Sequence, residues 1–320
     1  MKFRNREMKM SRLQGLRVTV CAIFLTIFGM AGISHAAAAA QPKTFASAEE
    51  AVKALIAAAK SNDDKEMLAI FGPGAKELIF SGDAVADQQR RARFVKAYGE
   101  KNRLVQQGND MILVIGKEDW PFPIPVIKKG DGWVFDIARG REEILNRRIG
   151  ENELYTIQVC RAIVDAQREY AMKDRDKNGL LEYAQKFRSD PGKKNGLYWD
   201  SKAGEPQSPL GPITVQARGE GYQGQPSASP SPYHGYFYRI LTAQGKDAAG
   251  GAYSYLVKGK MIGGFAVVAY PAEYENSGVM TFIVNYEGKV FQKDLGKNTA
   301  SVAKAMKEYN PDKTWAEVKP

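Results

Sequence analysis

One nine-residue stretch has the residue types and spacing to hold a hard cation. In Asp174-Arg175-Asp176-Lys177-Asn178-Gly179-Leu180-Leu181-Glu182, oxygen-bearing side chains occupy the first, third and fifth positions, glycine the sixth, an apolar residue the eighth and a carboxylate the ninth. That is the opening of a calcium loop, in which alternate positions converge on the ion while Arg175 and Lys177 turn outward. Asp174, Asp176, Asn178 and Glu182 are the candidate ligands, and calcium is the cofactor they would take. The pattern departs at the twelfth position, where Gln185 replaces the bidentate glutamate. Calcium bound here would act as a structural staple, with the weak affinity of extracytoplasmic sites, on the order of 10⁻⁴ to 10⁻³ M. The same residues also read as a solvated turn: Asp174 and Asn178 bond nearby amides, and Gly179 takes a left-handed conformation.

Other chemistry is sparse. Ser301-Val302-Ala303-Lys304 has the Ser-x-x-Lys spacing of an acylating serine, but no Ser-Asp-Asn or Lys-Thr-Gly accompanies it and it falls in an amphipathic helical stretch. Gly-x-Ser-x-Gly, His-Glu-x-x-His and P-loop patterns are missing from the chain. His234 stands among Tyr233, Tyr236, Phe237 and Tyr238 at the end of a Pro-rich loop. Together with Tyr198, Trp199 and Tyr222 in the irregular region before it, His234 and Tyr236 are candidates for contact with a glycan or a peptide. Each also has a structural reading, the histidine as a hydrogen-bonding residue and the aromatics as caps on a core.

The compartment follows from the first residues. Six basic residues between Lys2 and Arg17 precede the apolar run Val18 to Ile33, and Ser34-His35-Ala36 offers a small-x-small cleavage site, so residues 1–36 read as a signal peptide. The expected location is periplasmic or secreted, with no permanent membrane span after cleavage. Removing those residues takes away six of the 46 basic side chains and one of the 36 acidic ones, leaving 40 against 35, a net charge of +5. That balance, without a basic stripe interleaved with aromatics, argues against nucleic acid as a partner. Cleavage also removes Cys21 and His35, leaving Cys160 and His234 alone of their kinds. An intramolecular disulfide is then excluded, and the fold must rest on its hydrophobic core.

Residues 37–43 read as a disordered tail. Ser47-Ala48-Glu49-Glu50 has capping-box spacing ahead of Val52, Leu55, Ile56 and Ala59, which predicts a helix; further helices are expected over 65–71 and 84–98. The period then changes, and 111–115, 124–127 and 133–137 read as strands, closing a small α+β domain over 44–140. A helix from Arg141 is expected to break at Gly150 and resume to Met172, with Cys160 on its apolar stripe. After a Pro/Gly-rich loop at 191–232, strands are expected over 236–242, 253–257, 264–270, 280–286 and 289–293, then a helix from Thr299 to Tyr309. The fold class is α+β: N-terminal helices with a small antiparallel sheet, then a long helix packed on a second antiparallel sheet within 141–320.

Longer strings carry a resemblance. Asp165 to Ala171, Asp174 to Asp176, Glu182 to Ala184, Gly196-Leu197-Tyr198-Trp199 and Gly204 to Pro212 are among them, as are Gly235 to Tyr238, Gly263 to Phe265, Gly278 to Phe282 and Lys293 to Gly296. Through these the chain resembles a bacterial family of exported proteins, domain-of-unknown-function family 2950. The resemblance implies an envelope or secreted protein and carries no catalytic residues across. The sequence therefore favours a non-enzymatic binding or structural module whose partner is an envelope component, a glycan or a peptide. The alternative is a hydrolase acting on cell-wall material through paired carboxylates such as Asp174, Asp176 and Glu182.

Overall fold

Ser47 starts the first helix, α1 (Ala48–Ser61), by accepting a hydrogen bond from the Glu50 amide at 3.1 Å, and the Glu50 carboxylate reaches back to the Ala46 amide. The computed structural model describes residues 41–175, 177–202, 204–222 and 231–319. The expected signal segment and the start of the tail lie outside these residues. Lys43, at the end of that tail, is held by its amide on the Ala69 carbonyl and by Glu66 on its ammonium. Helices α2 (Asp64–Phe71), α3 (Lys76–Ile79) and α4 (Ala84–Glu100) follow, with Asp63 and Asp83 capping α2 and α4. Strands β1 (Asn102–Gln107), β2 (Asp110–Ile115), β3 (Trp120–Pro121), β4 (Val126–Lys129) and β5 (Gly132–Phe135) form an antiparallel sheet ordered β1-β2-β4-β5, with β3 also on β2. Leu55, Ile70 and Phe71 from the helices meet Leu113, Ile115, Val126 and Phe135 from the sheet in a first hydrophobic core.

The long helix differs from expectation. Helix α5 (Ile137–Ala171) runs unbroken for 35 residues, so the anticipated break at Gly150 does not occur and the boundary at 140/141 falls inside its first turns. A glycine costs a helix only about 1 kcal/mol. That penalty is small beside the burial of Val159, Cys160, Ile163 and Val164 on one side of Gly150 and the packing of Ile137 and Ile144 against the first core on the other. Cys160 is fully buried, and burial pushes its thiol up to about 12, which makes it a small core hydrophobe.

Residues 191–232 also hold more structure than their composition suggests: α6 (Gly211–Gly219) begins with Pro212 in its first turn, where the missing N–H is no loss. The second half then builds β6 (Tyr236–Leu241), β7 (Ala243–Gln244), β8 (Tyr253–Ser254), β9 (Leu256–Val257), β10 (Lys260–Met261), β11 (Ala266–Pro271), β12 (Met280–Asn285) and β13 (Val290–Asp294). Helix α7 (Thr299–Ala305), β14 (Glu308–Tyr309) and β15 (Ala316–Glu317) end the chain. The expected helix to Tyr309 stops at Ala305 because Glu308 and Tyr309 pair in parallel with β7. The second sheet is antiparallel, ordered β15-β13-β12-β11-β6. Its central strands are almost wholly buried, and with α5 they enclose a second core that includes Ile163, Phe265, Val268, Phe282 and Ile283. The protein is thus α+β, with helices and a small sheet preceding a long helix and a second sheet. No helix among the described residues is long and apolar enough to cross a membrane.

Candidate functional site

Helices α4 and α5 carry similar arrays. Asp87, Arg90, Arg91 and Phe94 fall at i, i+3, i+4 and i+7 of α4, and Ile144, Arg147, Arg148 and Glu151 do the same on α5, so each set shares one face. Both faces border a cavity of about 270 Å³ between the N-terminal helices, α5 and the first sheet. Its wall is nearly all apolar: Leu55 and Ala59 come from α1, Met67 and Phe71 from α2, Phe94 from α4, Ile144 from α5, and Trp120, Phe122 and Ile124 from the sheet and its connections. Phe122 fills the space between Phe94, at 5.2 Å between ring centres, and Phe135 at 6.4 Å. The space adjoins a larger open groove of about 620 Å³, with which it shares Arg90, Phe94 and Trp120.

The polar groups at this cavity are arginines with unequal partners. Arg91 pairs with Asp64 at 2.7 Å, Arg147 with Glu143 at 2.5 Å, and Arg90 lies 3.4 Å from Asp87 and 3.5 Å from Glu151. Arg147 also lies over the Trp120 ring at 5.1 Å. Arg148 is 95% buried, and the groups it bonds are neutral: the Glu77 carbonyl at 2.7 Å, the Leu78 carbonyl and the Asn276 side-chain oxygen. Its Nε has no hydrogen-bond partner among the described residues. Burial, followed by the nearby Arg90 charge, lowers the Arg148 guanidinium to about 10, so it keeps its charge at neutral pH.

Behind the rim is a buried polar cluster. Asp83 caps α4 through the Ala86 amide at 3.1 Å, and its other oxygen accepts from the Tyr222 hydroxyl at 2.8 Å and the Gly235 amide at 2.9 Å. The His234 ring stacks on Tyr155 at 4.2 Å and 4° and lies 4.3 Å from Tyr233. Its Nε2 is 3.2 Å from Glu220, yet desolvation outweighs that carboxylate and holds the imidazole below its usual value. Arg90 ties this region to the cavity by donating to Asn152 Oδ1 at 2.7 Å, and Asn152 in turn donates to the Ser277 carbonyl.

The sequence matches the family described as protein of unknown function, DUF2950, over residues 42–318. The chain belongs to the DUF2950 family. No curated protein and no solved structure matches it.

Within this DUF2950 chain the residues singled out by sequence are scattered. Asp174 Oδ1 accepts from the Asn178 amide at 3.1 Å and Oδ2 from the Gly179 amide at 2.8 Å, so its carboxylate closes the loop; Asn178 Oδ1 accepts from the Leu180 amide two residues on, the bond of an Asx turn, and Gly179 has a φ of +83°. Glu182 Oε1 takes the Lys260 ammonium at 3.0 Å and the Asn178 side-chain amide at 3.1 Å; Asp176 lies outside the described residues. Tyr198 lies between the Arg188 and Arg218 guanidiniums and donates to Asp200, while Trp199 is buried beneath Arg175 and Lys194. Tyr236 is fully buried, its hydroxyl on the Met280 carbonyl, and so presents no surface. Tyr222 and His234 alone of the five aromatic-site candidates meet, at 5.9 Å. The cavity residues went unread because Arg90-Arg91 and Arg147-Arg148 look like solvated helix faces; their shared register on two helices is the signal that could have found them.

Proposed function

We propose that this DUF2950 protein is an exported, non-enzymatic binding module of the bacterial envelope, acting in the periplasm or after secretion, whose ligand occupies the apolar cavity beside α4 and α5. The observation that carries the reading is the cavity wall itself. A space of about 270 Å³ lined by Leu55, Phe71, Phe94, Ile124 and Ile144 leaves apolar surface uncovered where a core would otherwise close, the character of a small-molecule site. The hydrolase alternative draws no comparable support. Both Asp174 oxygens already accept amides, and Glu182 is neutralised by Lys260, so neither stands ready as a general acid or base.

The test is binding of the fluorescent apolar probe N-phenyl-1-naphthylamine to the mature chain, compared with Ala59→Phe, which fills the cavity from α1. Saturable enhancement with the wild type, lost in a variant of unchanged melting temperature, is the expected result. No enhancement, or enhancement that survives Ala59→Phe, overturns the proposal.

A further inference from the structure

Arg148 distinguishes this cavity from a plain apolar hole. The other three arginines at its edge each have a carboxylate within 4 Å, whereas Arg148 is bonded to two carbonyls and an amide oxygen. Neutral acceptors satisfy donors but put no carboxylate in contact with the charge, and a buried cation without a contacting counter-ion is costly. Asp87 and Glu273 act on it only through space. The Arg148 guanidinium therefore adds positive potential to a cavity whose wall is mostly apolar and whose other arginines each have a carboxylate beside them, in surroundings where charge acts more strongly than in water.

Resting on the reading of the cavity as a binding site, we propose that its ligand is a single-chain amphiphile with an anionic head, a carboxylate or a sulfate. The tail lies against Leu55, Phe71 and Ile124, and the head supplies the counter-charge that Arg148 lacks. A cationic head would meet the same potential as repulsion, and a neutral head would leave it unanswered.

The experiment displaces N-phenyl-1-naphthylamine from the mature chain with dodecanoate, dodecyl sulfate, dodecanol and dodecylamine, each below its micellar concentration. The two anions are expected to bind about tenfold or more tighter than the alcohol, the range of a charge-assisted contact, and the amine more weakly than the alcohol. Arg148→Met should bring dodecanoate and dodecanol together, while Arg148→Lys, which keeps the charge, should preserve their order. Equal displacement by dodecanoate and dodecanol in the wild type overturns the anionic head while leaving the cavity reading intact; failure of the probe itself to bind overturns the cavity reading. An anion preference that persists in folded Arg148→Met removes Arg148 as its source. The wild-type series decides the head-group question alone if Arg148→Met does not fold.

Discussion

The Tyr222 hydroxyl donates to Asp83 Oδ2 at 2.8 Å across 139 residues of sequence, joining the exit of α6 to the N-cap of α4. The carboxylate is 98% buried and also takes the Ala86 and Gly235 amides, so it fastens three segments at once. Burial and the adjacent charge push the Tyr222 phenol well above its ordinary range, which keeps it a donor. Tyr222→Phe removes one hydrogen bond to a charged acceptor and should cost about 2 kcal/mol. Asp83→Ala strands three donors and removes the cap, and should cost at least about 3 kcal/mol. Urea denaturation of both variants checks the order; equal small losses would show that the cluster does not hold these segments together.

His234 should make stability depend on pH. Its folded value is depressed, chiefly by burial, so below the ordinary histidine value of about 6.5 the unfolded chain takes up a proton that the folded chain resists. Stability is therefore complete above that value and falls as pH drops through it, by at most about 1.4 kcal/mol per pH unit for one proton. His234→Asn keeps a residue tolerant of the backbone φ of +48° and removes the proton. Chemical denaturation between about pH 7.5 and 5.5 should show a shallower dependence for the variant. Parallel curves would place the titration elsewhere.

Gly140 and Gly150 lie on one helix with opposite surroundings. A Cβ at Gly140 would stand 2.6 Å from the Pro123 carbonyl oxygen and 2.7 Å from Ile124, against the cavity wall, whereas a Cβ at Gly150 would meet nothing. Gly140→Ala should destabilise by about 1–3 kcal/mol because backbone must move. Gly150→Ala should stabilise by up to about 1 kcal/mol through helix propensity. Thermal unfolding of the pair would refute the packing of α5 on the Pro123 segment if both substitutions stabilise.

Period and turn chemistry made much of the fold legible. Ser47 and the i, i+3, i+4 spacing behind it announce α1, and the apolar runs over 280–286 and 289–293 announce β12 and β13. What escaped has a common cause. Propensity is local and marks Gly150 as a break, while the burial that carries α5 through it is tertiary. The local pattern makes Tyr309 helical, because its partner Gln244 lies 65 positions earlier and nothing local shows that pairing. The site was less legible still. Arginines at helical spacing are usually solvated, and only the folded chain reveals that Arg148 is buried without a carboxylate.

The Asp174 turn bears on whether calcium staples this protein. Its geometry is self-sufficient: both Asp174 oxygens accept main-chain amides, Asn178 Oδ1 accepts from the Leu180 amide, and the Lys260 ammonium already supplies Glu182 with a positive charge. An ion binding here would have to compete with that ammonium, and Gln185, at the position of the bidentate ligand, instead donates to the Gly259 carbonyl. The expected melting temperature is therefore the same in calcium and in chelator, and Asp174→Ala should lower it equally in both by removing two charge-assisted bonds, about 2 kcal/mol or more. A rise with calcium in the wild type that Asp174→Ala abolishes would reverse this reading: the ion would then be binding the folded state preferentially, with Lys260 displaced from Glu182. Lys260→Met separates the two cases further. If the ammonium is what balances Glu182, its loss should destabilise the turn, and added calcium should recover that stability only if Asp174, Asn178 and Glu182 can converge on an ion once the ammonium is gone.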